Sequence, residues 1–145
     1  KRMKLDIVEA TFHDAEPIIA LVQQLRQELD EYAGQGDLSI DDVEEYLSFP
    51  GNTAFIAEDG GKPIGLLTLS IRPNLFHGGP SALIEELLVL PAYRGKNIGG
   101  SLVRRAIEHA LDAACAEICA STIEAAEFYR GLGLTDESLL LEKHF

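Results

Sequence analysis

Tryptophan is absent from this chain of 145 residues, methionine occurs once and cysteine only twice. Two cysteines, Cys115 and Cys119, cannot build a disulfide framework or a four-ligand zinc site. Spaced i, i+4 in a stretch of mostly Ala and Ile, they read as small buried hydrophobes. Positive charge is scarce as well, with 12 Lys and Arg against 24 Asp and Glu, a formal net charge of −12. That balance excludes a fold-wide cationic footprint for nucleic acid, and an anionic membrane surface would repel the chain. No apolar run is long enough to span a bilayer, and the N-terminus carries no signal-peptide pattern. A reduced cytoplasmic setting is therefore expected, without membrane or nucleic-acid partners. What remains is ordinary globular material, 46% hydrophobic and 25% charged. The length suits a single domain that buries roughly two-thirds of its unfolded surface. Setting aside Lys1 and Arg2 ahead of Met3, that domain runs over 3–145.

The patterning alternates strand and helix. Lys4 to Glu9 reads as a first strand, with Leu5, Ile7 and Phe12 turned inward. His13-Asp14 supplies a cap, Pro17 sits in a first turn, and Ile18, Leu21, Val22, Leu25 and Leu29 form the apolar stripe of a helix stopped by Gly34 and Gly36. Ser39 caps a second short helix reaching Ser48. Strands over Asn52–Glu58 and Lys62–Ile71 flank the turn Asp59-Gly60-Gly61. A Pro/Gly-rich loop, Arg72–Pro80, precedes a strand over Ser81–Leu90. Then follow a long helix over Ile98–Ala114, a short strand over Glu117–Ala120, a helix over Ile123–Leu132 and a final strand over Ser138–His144. The order β-α-α-β-β-β-α-β-α-β predicts an α/β domain: a mixed, mostly antiparallel sheet with helices on both faces.

The strongest site signal is Leu87 to Ser101, LLVLPAYRGKNIGGS. A buried strand ends at Pro91, a turn carries Arg94 and Lys96, and Gly99-Gly100 open the long helix. Unpaired N–H groups at a helix start favour anions, glycine lets backbone approach a phosphate, and two cations stand out in so acidic a chain. Neither the GxxxxGK[ST] phosphate loop nor the GxGxxG dinucleotide fingerprint is present.

Arg94-Gly95-Lys96-Asn97-Ile98-Gly99 resembles the [RQ]-x-x-G-x-[GA] acyl-CoA signature of the GNAT superfamily of N-acetyltransferases, with Asn97 where the signature usually has Gly. Asn is the next most tolerant residue of a left-handed backbone. Upstream, Glu85-Glu86-Leu87-Leu88-Val89-Leu90-Pro91 is similar to the family's fourth strand. Downstream, Ala125-Ala126-Glu127-Phe128-Tyr129-Arg130-Gly131-Leu132-Gly133-Leu134 is similar to its A-x-x-F-Y-x-x-x-G-[FL] element, with Thr122 where many members have Asn. The three matches come in order and resemble the small-amine (polyamine-type) members most. The resemblance implies transfer of an acetyl group from acetyl-CoA to a primary amine by direct attack on the thioester, with no metal.

An alkyl ammonium, with a pKa near ~10, must lose a proton before it attacks. The resemblance assigns that proton to Glu85, a carboxylate in an apolar strand, and Glu86, turned to the opposite face, is the other candidate base. It assigns Tyr129 as the acid toward the departing thiolate and the backbone of Leu87, Leu88 and Val89 to the oxyanion and the pantetheine arm, at a bulge that splays the fourth and fifth strands. Arg94, Gly95, Lys96, Asn97, Ile98, Gly99, Gly100 and Ser101 are expected around the diphosphate, and Phe128 beside the cofactor arm. Tyr93 reads as packing, and His77 as a loop residue bordering the acceptor. Asp30, Glu31, Asp37, Asp41 and Asp42 form an acidic rim near the two N-terminal helices, either solvated or attracting a cationic amine. Members of the family often form homodimers, but no exposed stripe indicates a dimer face here. Two alternatives remain open at this level: a GNAT-fold CoA-binding or sensory module without turnover, and an enzyme acetylating a protein or peptide amine.

Overall fold

The computed structural model describes residues 2–29, 36–122 and 125–145. Strand β1 (Leu5–Glu9) leads through a 3-10 turn (Phe12–Asp14) into α1 (Ala15–Glu28), followed by α2 (Ile40–Ser48). The hairpin β2 (Asn52–Asp59) and β3 (Lys62–Arg72) comes next, then β4 (Ser81–Val89), α3 (Ile98–Asp112), β5 (Glu117–Ala120) and α4 (Ala126–Gly131). The sheet runs β1-β2-β3-β4-β5, antiparallel except for the parallel pair β4–β5. Among the described residues no helix is long and apolar enough to cross a membrane.

The helix starts follow from short polar side chains. Thr11 and Asp14 form a reciprocal capping box ahead of α1, and Ser39 and Asp42 form another at the start of α2. Strand alternation divides the apolar residues between two cores. Phe55, Leu67, Leu69, Ala82 and Ile84 pack under α3 together with Tyr129, while Ala54, Ile56, Leu66 and Leu88 pack under α1 and α2. Helices thus cover both faces, as the element order implies.

Three expectations are corrected. Phe12 is exposed rather than turned inward. Cys115 and Cys119 are only partly buried, because one follows the end of α3 and the other lies on the edge strand β5. Ser138–His144 forms no strand. Its apolar alternation is real, since Leu140, Glu142 and His144 line a groove while Leu139 and Leu141 are 88% and 89% exposed, but no neighbouring strand completes a ladder. The predicted stop at Gly34 and the predicted helix start at Ile123 lie outside the described residues.

The turn between α2 and β2 contains the tightest glycine. Gly51 has φ +85°, its carbonyl accepts the Ile71 N–H at 2.8 Å, and a Cβ placed on it would stand 2.1 Å from the Ile71 carbonyl oxygen. Gly51→Ala should lower unfolding free energy by about 3 kcal/mol in a denaturant titration, because backbone rather than a movable side chain blocks the new atom. Gly60→Ala is the control, with a positive φ but open space around it.

Candidate active site

β3 and β4 fall out of step at one place. Leu67 pairs with Leu87 and Leu69 with Ile84, so Thr68 alone stands opposite Glu85 and Glu86. This is a two-for-one β-bulge, and its extra residue resets the alternation of β4. Leu83, Glu85, Glu86 and Leu88 consequently all line one groove of about 920 Å³ on the α1/α2 face. Without the bulge Glu86 would point into the α3 core, which is where simple alternation places it. The sequence-based expectation for Glu86 is corrected accordingly.

The two carboxylates have different environments. Glu85 is exposed. Glu86 is part-buried, accepts the Thr68 hydroxyl on Oε1 at 2.6 Å, and its own N–H donates to Thr68 Oγ1 at 3.0 Å. Burial raises the Glu86 carboxyl above the ordinary range, the Thr68 hydrogen bond opposes this, and the nearby Glu85 charge adds to the rise. Tyr46 of α2 also lines the groove. Its phenol is held strongly protonated by burial and by the Glu85 and Glu86 charges, and its hydroxyl reaches the Leu69 carbonyl at 3.4 Å.

Tyr129 reaches the same groove from α4. It is 7% exposed, and burial pushes its phenol up to about 12. No buried side-chain polar atom among the described residues lacks a partner, and its hydroxyl has no protein partner there. The hydroxyl therefore opens to accessible space, which is the groove. Phe128 meets the Tyr129 ring edge-on, with centroids 5.1 Å apart. Its ring also packs on Gly99, where a Cβ would lie 3.3 Å from it. A side chain at that position would crowd the Phe128 ring.

β4 and β5 pair only from Ser81 to Ile84, and beyond Ala120 β5 departs. Leu90 N–H donates to the Ile64 carbonyl on β3. By antiparallel alternation, Leu88 shares that orientation, whereas Leu87 and Val89 turn their N–H and C=O groups to the open side. The splay lies where the family resemblance puts it, but Leu88's amide is committed to β3. Arg94 Nε takes the Val89 carbonyl at 2.9 Å, and Nη2 holds both Glu28 carboxylate oxygens at 2.7 Å. The guanidinium is therefore tied to α1 and β4.

The loop itself is left-handed at Gly95 (φ 79°) and Asn97 (φ 61°). Ser101 N–H closes the first helical bond, to the Asn97 carbonyl, and so is unavailable to a ligand. The six preceding amides, Gly95 to Gly100, have no hydrogen-bond acceptor among the described residues. A run of N–H groups through left-handed turns into a helix start is a concave anion site. Lys96 stands beside it with its ammonium 5.5 Å from the centre of the Tyr93 ring, and Lys62 lies 5.8 Å from the same ring. Tyr93 is anchored by its hydroxyl on Asp59, which fits its predicted packing role.

Other candidates fall elsewhere. His77 binds Glu117 at 3.0 Å and does not line the groove. Thr122 accepts the Ala125 N–H at 2.8 Å. Asp42 lines the groove, Asp37 and Asp41 are exposed outside it, and Asp30 and Glu31 lie outside the described residues. Thr68, Tyr46, Leu140, Glu142 and His144 are lining residues that sequence reading missed. No motif marks them, because each enters through tertiary packing.

Residues 20–134 match the profile of the "Acetyltransferase (GNAT) family". The aminoalkylphosphonate N-acetyltransferase of Salmonella typhimurium is 28% identical over 109 residues, 74% of this chain and 68% of that protein. The thialysine N-epsilon-acetyltransferase of Bos taurus is 31% identical over 62 residues, 40% of this chain and 36% of that protein. A solved structure from Agrobacterium tumefaciens strain C58, itself only provisionally assigned as an acetyltransferase, superposes with a TM-score of 0.85 at 28% identity, covering 97% of this chain and 99% of the other.

Proposed function

The chain belongs to the GNAT family of N-acetyltransferases, and we propose that it moves the acetyl group of acetyl-CoA directly to a small cationic alkyl amine. GNAT enzymes use acetyl-CoA. In this chain the amides of Gly95 to Gly100 would take the diphosphate, with Lys96 adding charge, and the pantetheine arm would enter where β4 and β5 separate. The acceptor would lie over the bulge. Glu86 takes a proton from the ammonium, the freed nitrogen attacks the thioester carbon, and the Val89 N–H meets the developing oxyanion. Tyr129 donates to the sulfur as the C–S bond breaks, and the second proton shed by the acetylated nitrogen restores its phenol.

The observation that carries this reading is that one groove brings together a carboxyl with a raised pKa, Glu86, and a protonated phenol, Tyr129. This assignment moves the proton acceptor to Glu86, the other of the two candidate bases, and makes the exposed Glu85 the anchor for positive charge on the acceptor. The groove's acids are Glu28, Asp42, Glu85, Glu86 and Glu142, against Arg26, Arg94 and His144. That balance favours a cationic acceptor over an acidic one such as a phosphonate. Incubation with acetyl-CoA and a panel of alkylamines, diamines and aminoalkylphosphonates, followed by free thiol, tests it. Thiol release with the amines and diamines is expected; release with the phosphonates alone, or with no acceptor, contradicts it.

A further inference from the structure

Thr68 is 3% exposed, yet it is polar and lies in the middle of an otherwise apolar strand between Leu67 and Leu69. A buried hydroxyl there costs stability unless it is paired. Its pairing is unusual because two bonds go to one residue across the bulge, O–H to Glu86 Oε1 at 2.6 Å and Glu86 N–H to Oγ1 at 3.0 Å, while Tyr46 also reaches its side chain. One bond fixes where the Glu86 backbone sits, and the other fixes where its carboxylate points. Valine is nearly the same shape and more favourable in an apolar strand, so packing alone does not call for threonine.

We propose that Thr68 is a positioning residue for acyl transfer, holding the extra residue of the bulge in place and aiming the Glu86 carboxylate into the groove. The proposal rests on Glu86 being the proton acceptor. Four groups face that carboxylate: Thr68 from β3, Glu85 from its own strand, Arg26 from α1 and Tyr46 from α2. Of these, Thr68 makes the hydrogen bond that favours the ionised form, while Arg26 acts through its charge alone. Removing the hydroxyl leaves burial and the Glu85 charge less opposed, so Glu86 binds its proton more tightly and the acidic limb of kcat/KM moves to higher pH.

The test compares full-length wild type, Thr68→Val and Thr68→Ser. Thr68→Val should lose roughly tenfold in kcat/KM at neutral pH and recover most of it in alkaline buffer. Thr68→Ser, which keeps the hydroxyl, should follow the wild-type profile. A uniform loss at every pH, or an unmoved acidic limb, overturns the proposal. A second readout needs neither turnover nor a folded variant: in the wild type, the carbon-13 signals of the Glu86 carboxyl and the Thr68 methyl should titrate with one midpoint. A Thr68 methyl signal indifferent to that titration overturns the proposal as well. Glu86→Gln separates the two levels of the reading. If it retains full activity, Glu86 is not the base, and the carbon-13 titration still judges the Thr68–Glu86 bond.

Discussion

Tyr129→Phe should lower kcat by roughly hundredfold while leaving the dissociation constant for acetyl-CoA unchanged. The ring of Tyr129 belongs to the α3 core, and phenylalanine fills the same space, so the fold has no reason to respond. Only the hydroxyl is lost, and it faces the groove. With its phenol pushed up to about 12 by burial, Tyr129 stays protonated across any practical assay range. It is a hydrogen-bond donor first: charge builds on sulfur as the C–S bond lengthens, and a donor already fixed there stabilises that charge more than the neutral thioester. The loss should therefore appear in kcat, with no new alkaline limb. An equal loss in acetyl-CoA affinity would make Tyr129 a packing residue.

The second large effect concerns the paired glutamates. Glu86→Gln should reduce kcat/KM for the amine by about hundredfold at neutral pH and abolish the acidic limb of the profile, because the amide cannot accept the proton. Burial raises the Glu86 carboxyl, so in the wild type that limb should lie above the ordinary carboxylate range. Glu85→Gln should raise KM for a cationic acceptor and leave kcat and the acidic limb in place, as expected of an exposed anchoring charge. Reversal of this pattern between the two variants would return the base to Glu85.

The paired glutamates also mark how far sequence could be read. Element order as far as α4 and the limits of β5 follow from local periodicity, the signature resemblance puts a left-handed turn at Asn97, and these are found in the structure. The bulge does not follow. Glu85-Glu86 in an apolar run looks like ordinary alternation, and the residue that stitches it, Thr68, lies 18 positions away. The tie between Arg94 and Glu28 is equally hidden in the sequence, because the two lie 66 positions apart. At the C-terminus the period of two is there, but a strand needs a neighbour, and nothing in Ser138–His144 itself reveals whether one exists. Long-range pairing decides each of these cases.

The most direct measurement is the structure of the protein bound to a bisubstrate analogue, CoA joined through its sulfur and an acetyl carbon to an alkyl amine. The diphosphate should rest on the amides of Gly95 to Gly100, the sulfur within hydrogen-bond reach of the Tyr129 hydroxyl, and the amine nitrogen within reach of Glu86 directly or through one water. A sulfur placed away from Tyr129, or an amine nitrogen on the far side of the sheet from the Glu85–Glu86 bulge, would contradict the account.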